Sequence, residues 1–129
     1  MSNGRKFVVN GRLPNLNEYT RACRSNAYAG NTMKKQAEEK VILSILRDIG
    51  RWKTSNMVYI SFLWIEQNTR RDLDNIAFAK KFILDALVKS GTIKNDGWKN
   101  ILGFKDDFAV DKNRPRIEVV IKEVVSNDK

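Results

Sequence analysis

Two aspartates one residue apart, Asp72 and Asp74, stand in the segment Arg70-Arg71-Asp72-Leu73-Asp74-Asn75. In an extended backbone, side chains two positions apart share a face at about 6–7 Å, so the pair can hold one hard cation while Leu73 anchors inward. Magnesium asks for octahedral oxygen ligands, keeps several waters, and takes one or two protein carboxylates together with phosphate oxygens. Arg70 and Arg71 supply the positive charge that draws a phosphate to such a place. The same residues have plainer uses: Asp74 can cap the helix that follows, and Asp72 can pair with a surface arginine. Lys81 lies seven residues after Asp74, nearly two helical turns, and so projects from the same side as the acidic pair, within reach of a phosphate. Its plainer use is an ion pair with Asp85 at i+4. Asp96 sits in the turn after the helix, where an Asp-Gly pair also serves simply to reverse the chain.

What is missing narrows the chemistry. The 129 residues contain no histidine, which removes the commonest general base, the Ser-His and Cys-His pairs and every histidine-containing metal site. A single cysteine, Cys23, cannot make an internal disulfide or a cysteine-rich zinc site, in keeping with a reducing compartment. No Gly-rich phosphate loop and no G-x-G-x-x-G occurs, so a nucleotide cofactor finds no support. The net charge is +9, and it is uneven: residues 1–56 carry 11 basic and 4 acidic side chains, residues 57–129 carry 13 and 11. A polyanion is the natural partner, and Arg21, Arg24, Lys34 and Lys35 in the basic half, with Arg70, Arg71 and Lys80 nearer the aspartates, are the candidate phosphate contacts. The basic start lacks the apolar run of a secretory signal, and no stretch approaches the ~20 apolar residues of a membrane span, which makes a cytosolic location, away from the membrane, the expectation.

The elements that must position these residues can be read from periodicity. Residues 6–9 read as a strand, Asn10-Gly11 as a turn, and residues 13–15 as an extended stretch around Pro14. Arg21, Arg24 and the polar residues 26–31 read as a basic loop. Thr32 then caps a helix running to about Ile49, with Met33, Ala37, Val41, Ile45 and Ile49 at four-residue spacing and Gly50 as its stop. Residues 57–66 are nearly continuous in apolar and β-favouring types and predict a central strand covered on both faces. A second helix is expected over 76–90, burying Ile76, Ala79, Phe82, Ile83, Ala86 and Leu87 and ending at Gly91, followed by a turn at Asn95-Asp96-Gly97 and strands near 98–108 and 116–124. The expected architecture is a single α+β domain over 1–129: one mixed sheet of about four strands with two main helices.

The order and spacing of R-R-D-L-D-N at 70–75, L-D-A-L at 84–87 and K-S-G-T-I-K-N-D at 89–96, with G-R-L-P-N-L-N-E-Y at 11–19 and P-R-I-E-V-V-I at 115–121, resembles the RusA family of Holliday junction resolvases. The resemblance covers most of the chain. It implies that Asp72, Asp74 and Asp96 bind Mg²⁺, that a helix lysine assists, and that a homodimer cuts four-way DNA junctions in recombination and repair. The interval from the D-x-D-N motif to the lysine is longer here than in compact members, leaving Lys80 and Lys81 as competitors; Lys81 keeps the four-residue interval to Asp85. Asn95 stands where members often carry a further acid. Phosphodiester hydrolysis needs a nucleophilic water, a neutralised phosphate and a stabilised leaving oxygen, which bound magnesium can provide, with Lys81 against the growing negative charge and a 5′-phosphate and 3′-hydroxyl as products. The alternatives are a non-catalytic basic nucleic-acid-binding protein, a structure-specific RNA nuclease, and a small structural protein of a phage or chromosome.

Overall fold

Alternation of apolar side chains with a period of two builds the centre of the molecule. In the computed structural model, which describes residues 4–124, strand β2 (Met57–Glu66) buries Val58, Ile60, Phe62 and Trp64 on one face. The residues between them, up to Leu63, are only half-buried, so the strand is covered fully on one face and not on both as its composition predicts. β2 lies between β4 (Arg116–Val124), antiparallel to it, and β3 (Ile101–Val110), parallel to it; β1 (Gly4–Asn10) pairs antiparallel with β4, giving the order β1-β4-β2-β3. In β4 the expected alternation holds, with Ile117, Val119 and Ile121 buried. β3 starts at Ile101 and not at Trp98, because residues 98–100 form a turn in which the Asn100 and Ile101 amides donate to the Gly97 carbonyl.

Four helices, two more than the periodicity shows, join this sheet: α1 (Leu16–Ser25), α2 (Ala27–Ile49), α3 (Leu73–Ala77) and α4 (Lys80–Lys89). The basic loop expected around Arg21, Arg24 and residues 26–31 is helical. Asn15 caps α1 through a capping box with Glu18: its side chain accepts from the Glu18 amide at 2.8 Å, and Glu18 accepts from the Asn15 amide at 2.9 Å. Asn26, not Thr32, caps α2 by accepting from the Ala29 amide at 2.7 Å. Gly30, which reads as a loop signal, is buried inside α2 because α1 crosses it there. A Cβ at residue 30 would lie 2.6 Å from Cys23 Sγ and 3.2 Å from Cys23 Cα.

The single helix expected over 76–90 is two. The Ala79, Lys81 and Phe82 amides donate to carbonyls three residues back, a tight turn that separates α3 from α4. All six expected core residues on these helices are nonetheless buried, and they meet Ala37, Val41 and Ile45 of α2 and the buried side chains of β2 in one core. The expected stops hold: Gly50 and Gly91 adopt φ of 62° and 80°, a region that L side chains avoid. Glu38 of α2 is buried and pairs with Lys89 of α4, tying α2 to α4.

The crossing at Gly30 leads to a measurable expectation. Gly30→Ala should destabilise the protein by about 1–3 kcal/mol in urea unfolding, since the neighbour includes backbone that cannot swing away; combining it with Cys23→Ala should recover part of the loss.

Candidate active site

The segment that carries Asp72 and Asp74 is fixed from behind by buried charges. β2 ends at Glu66, itself buried, and Arg71 returns to it with Nη1 3.1 Å from Oε1. The same guanidinium reaches the Leu13 carbonyl at 3.5 Å and lies 3.9 Å from Glu18 on α1. Asn75 adds a second tie, accepting from the Asn17 amide at 3.0 Å. The loop between β2 and α3 is thus held against α1 at two points, with Asp72 and Asp74 between them.

Asp72 occupies the N-cap position of α3 with extended φ and ψ (−70° and 149°), but its side chain makes no capping bond. Asp74 lies in the first helical turn. Both are exposed, and among the described residues neither carboxylate has a hydrogen-bond or ion-pair partner, so neither of the plainer uses is realised. Leu73 does not anchor inward; it is 56% exposed, because helical geometry at residues 73 and 74 replaces the extended alternation assumed for the motif. Asp96 is likewise exposed and has no hydrogen-bond or ion-pair partner among the described residues, in the bend where Asn95 accepts from the Gly97 amide at 3.1 Å. Trp98 beside it is 95% exposed.

The two lysines are separated by their surroundings. Lys80 is held inside the fold: its Nζ lies 2.7 Å from Asp106 and over the rings of Phe62 and Phe104, and Asp106 also accepts from Trp64 Nε1 at 2.8 Å. Lys81 is exposed and has no partner among the described residues; Asp85, its expected i+4 partner, faces Lys34 at 3.8 Å instead. The break between α3 and α4 means that counting seven residues along one helix does not orient Lys81 towards Asp74. Of the candidate phosphate contacts, Arg21, Arg24, Lys35 and Arg70 are exposed with side chains unpaired among the described residues, Lys34 is shared between Glu38 and Asp85, and Arg71 and Lys80 are engaged internally. Glu66, at the end of the central strand, reads from sequence as at most an indirect helper, and its place here is behind the loop, paired with Arg71; Trp98 carries no motif signal.

The structure does not bring all three aspartates together. Among the described residues no three Asp, Glu or Cys side chains form a group able to hold a metal ion. Topology explains this. Asp72 and Asp74 follow the C-terminal end of β2, whereas Asp96 precedes the N-terminal end of β3, and the two strands run parallel. At about 3.3 Å per residue, β3 alone spans some 30 Å.

A mixed α+β sheet with free carboxylates at a helix start, a basic amino-terminal half and no histidine is what a nuclease working with a hard divalent cation would need. The chain matches the family model described as Endodeoxyribonuclease RusA over residues 2–122, and it belongs to that family. It is therefore a magnesium-dependent endodeoxyribonuclease that acts as a homodimer on branched DNA, Holliday junctions included. No curated protein matches it. No helix among the described residues is long and apolar enough to cross a membrane.

Stability should separate the two kinds of residue in this segment. Arg71→Ala, which strands the buried Glu66 carboxylate, should cost about 3 kcal/mol, whereas Asp72→Asn should stay within about 0.5 kcal/mol of the parent; equilibrium urea unfolding of both variants decides it.

Proposed function

We propose that the magnesium of this nuclease is held by Asp72 and Asp74 of one protomer with Asp96 of the partner subunit, that Lys81 assists, and that residues 1–129 work as one catalytic unit. The observation that carries this is the pair of exposed carboxylates at the start of α3, two like charges close together with no internal cation. Their local geometry is built at the cost of a buried ion pair, which a surface cap would not need. Oxygen-only donors, three at most from protein, match what magnesium accepts when phosphate and water fill the remaining positions. The separation of Asp96 from the other two within a chain, together with the homodimeric state, favours its contribution across the two-fold axis.

In cleavage, bound magnesium supplies an activated water and neutralises the phosphate. The chain's own part is positional. Arg71 and Asn75 hold the loop so that Asp72 and Asp74 keep one spacing. The free Lys81 ammonium offsets charge that grows on the phosphate oxygens as the bond to the 3′ oxygen breaks. Arg70, Arg21, Arg24 and Lys35 bind junction-arm phosphates.

Three measurements test this. Asp72→Asn and Asp74→Asn should each lower junction cleavage at least about 100-fold while junction binding measured in Ca²⁺ persists; full activity in either variant would sink the assignment. Unfolding Asp96→Asn together with an Asp72→Asn/Asp74→Asn chain and refolding them as a mixture should restore nicking, since one of the two sites in each hybrid dimer is intact. A mixture as inactive as its parents would place Asp96 in its own chain's site or outside any site. Arg21→Ala/Arg24→Ala should weaken junction binding and lower the slope of log K against log salt by about 2.

A further inference from the structure

A four-stranded sheet has two edges, and this one treats them differently. At the β1 edge the end of α2 closes the backbone: the Val8 amide donates to Asp48 at 2.8 Å and the Val8 carbonyl accepts from Arg47. Asp48 is fixed for the purpose, its carboxyl drawn below the usual range first by the hydrogen bond from Arg47. Among the described residues the β3 edge has no such cover. β3 is ten residues long and pairs only with β2 among the described residues. It leaves Leu102, Phe104 and Val110 at 59%, 39% and 54% exposure. Among the described residues its one side-chain contact to backbone is the Tyr59 hydroxyl donating to the Phe104 carbonyl at 3.1 Å, and a carbonyl keeps a second lone pair. A long, apolar, uncovered edge strand is a template for another strand.

The sequence of β3 says which strand. About a two-fold axis perpendicular to the sheet, a strand pairs antiparallel with its own copy, residue i facing j with i plus j constant and even, because facing residues must share a side of the sheet. With the axis at Asp106, Lys105 faces the partner's Asp107, Phe104 faces the partner's Phe108, and Gly103 faces the partner's Ala109. Every such pair is complementary, and opposite charges meet twice by symmetry. Moving the axis by one residue sets Phe104 against the partner's Asp106 or Lys105 against the partner's Ala109, and the complementarity is lost. Asp106 itself meets its copy already neutralised by Lys80.

We propose that the homodimer forms by antiparallel pairing of the two β3 edges centred on Asp106, joining the two sheets into one of eight strands. This gives the internally engaged Lys80 its use, as the counter-charge that lets two aspartates meet on the axis. The pairing also sets the N-terminal end of each β3, which Asp96 precedes, beside the C-terminal end of the other, near Asp72 and Asp74. That alignment rests on the metal-site reading above; the interface does not.

Cysteine cross-linking reads the register directly. On a Cys23→Ser background, Lys105→Cys and Asp107→Cys chains are refolded separately and as a mixture, then oxidised with copper phenanthroline and run without reductant. Facing residues lie within disulfide reach, whereas residue 105 and its own copy are displaced by two positions. The expected result is a cross-linked dimer in the mixture alone. Cross-linking in either separate sample, or none in a mixture that light scattering shows to be dimeric, overturns the register. In parallel, Lys105→Asp should raise the dimer dissociation constant at least about 100-fold and Lys105→Asp/Asp107→Lys should restore it; an unchanged constant in the first overturns the interface. Lys105 and Asp107 are both about 60% exposed, so neither change reaches the core. None of these readouts uses cleavage: hybrid dimers that regain nicking without the cross-link would keep the metal assignment and discard this interface, and the converse result would do the reverse.

Discussion

The buried ion pair between Glu66 and Arg71 is the constraint on which the end of the molecule carrying Asp72 and Asp74 depends. A carboxylate taken out of water at a strand end costs several kcal/mol unless a cation meets it. Here the cation comes from five residues further along the chain. Meeting it forces the loop to turn back over the sheet, and the same guanidinium then reaches the carbonyl of Leu13 and the acid of α1. α3 has only five residues, too few to be stable by itself. It is held in place by what precedes it and by the burial of Ile76, and so are the acids at its start.

Charge is distributed in the same spirit. Arg71, Lys80, Lys89 and Arg116 are each matched to a named carboxylate, and Glu118 is drawn below the usual range first by the hydrogen bond from Lys6 and then by Arg116. Such a lowered group adds stability that is present above the ordinary carboxylate value and is lost as the pH falls through the lowered one. Asp72, Asp74 and Asp96 stand outside this matching. The buried acids Glu38 and Glu66 are paired, whereas the motif acids, like the exposed Glu39 of α2, have no hydrogen bond or ion pair among the described residues.

Much of this was legible in residue types and spacing. The six buried positions on α3 and α4, the alternation of β4, the helix stops at Gly50 and Gly91 and the mixed α+β sheet all follow from periodicity, which reports burial directly. What periodicity could not show is where burial comes from close backbone approach. Gly30 signals a loop when read alone and a helix crossing when Cys23 is opposite it. α1 has no fully buried residue, so it left little apolar pattern to detect, although its capping box was written in Asn15 and Glu18. The D-x-D spacing assumes an extended backbone throughout, whereas the chain turns helical at Leu73, which is why Leu73 faces solvent and not the core. Sequence separates Lys80 from Lys81 only by the interval to Asp85, because the aspartate that claims Lys80 is 26 residues away.

The parallel pairing of β2 with β3 has the widest consequence. A parallel connection must return to the strand's starting end, and here α3 and α4 make that return, so residues leaving β2 and residues entering β3 lie at opposite ends of the sheet. A motif whose first acids follow β2 and whose last acid precedes β3 cannot close within one chain of this topology. A two-fold axis perpendicular to the sheet reverses the direction of the second copy and removes the difficulty with no further element. On the proposed metal-site assignment, the symmetry that suits two cuts in a nearly two-fold junction is also the symmetry that would bring the acids of the two chains together.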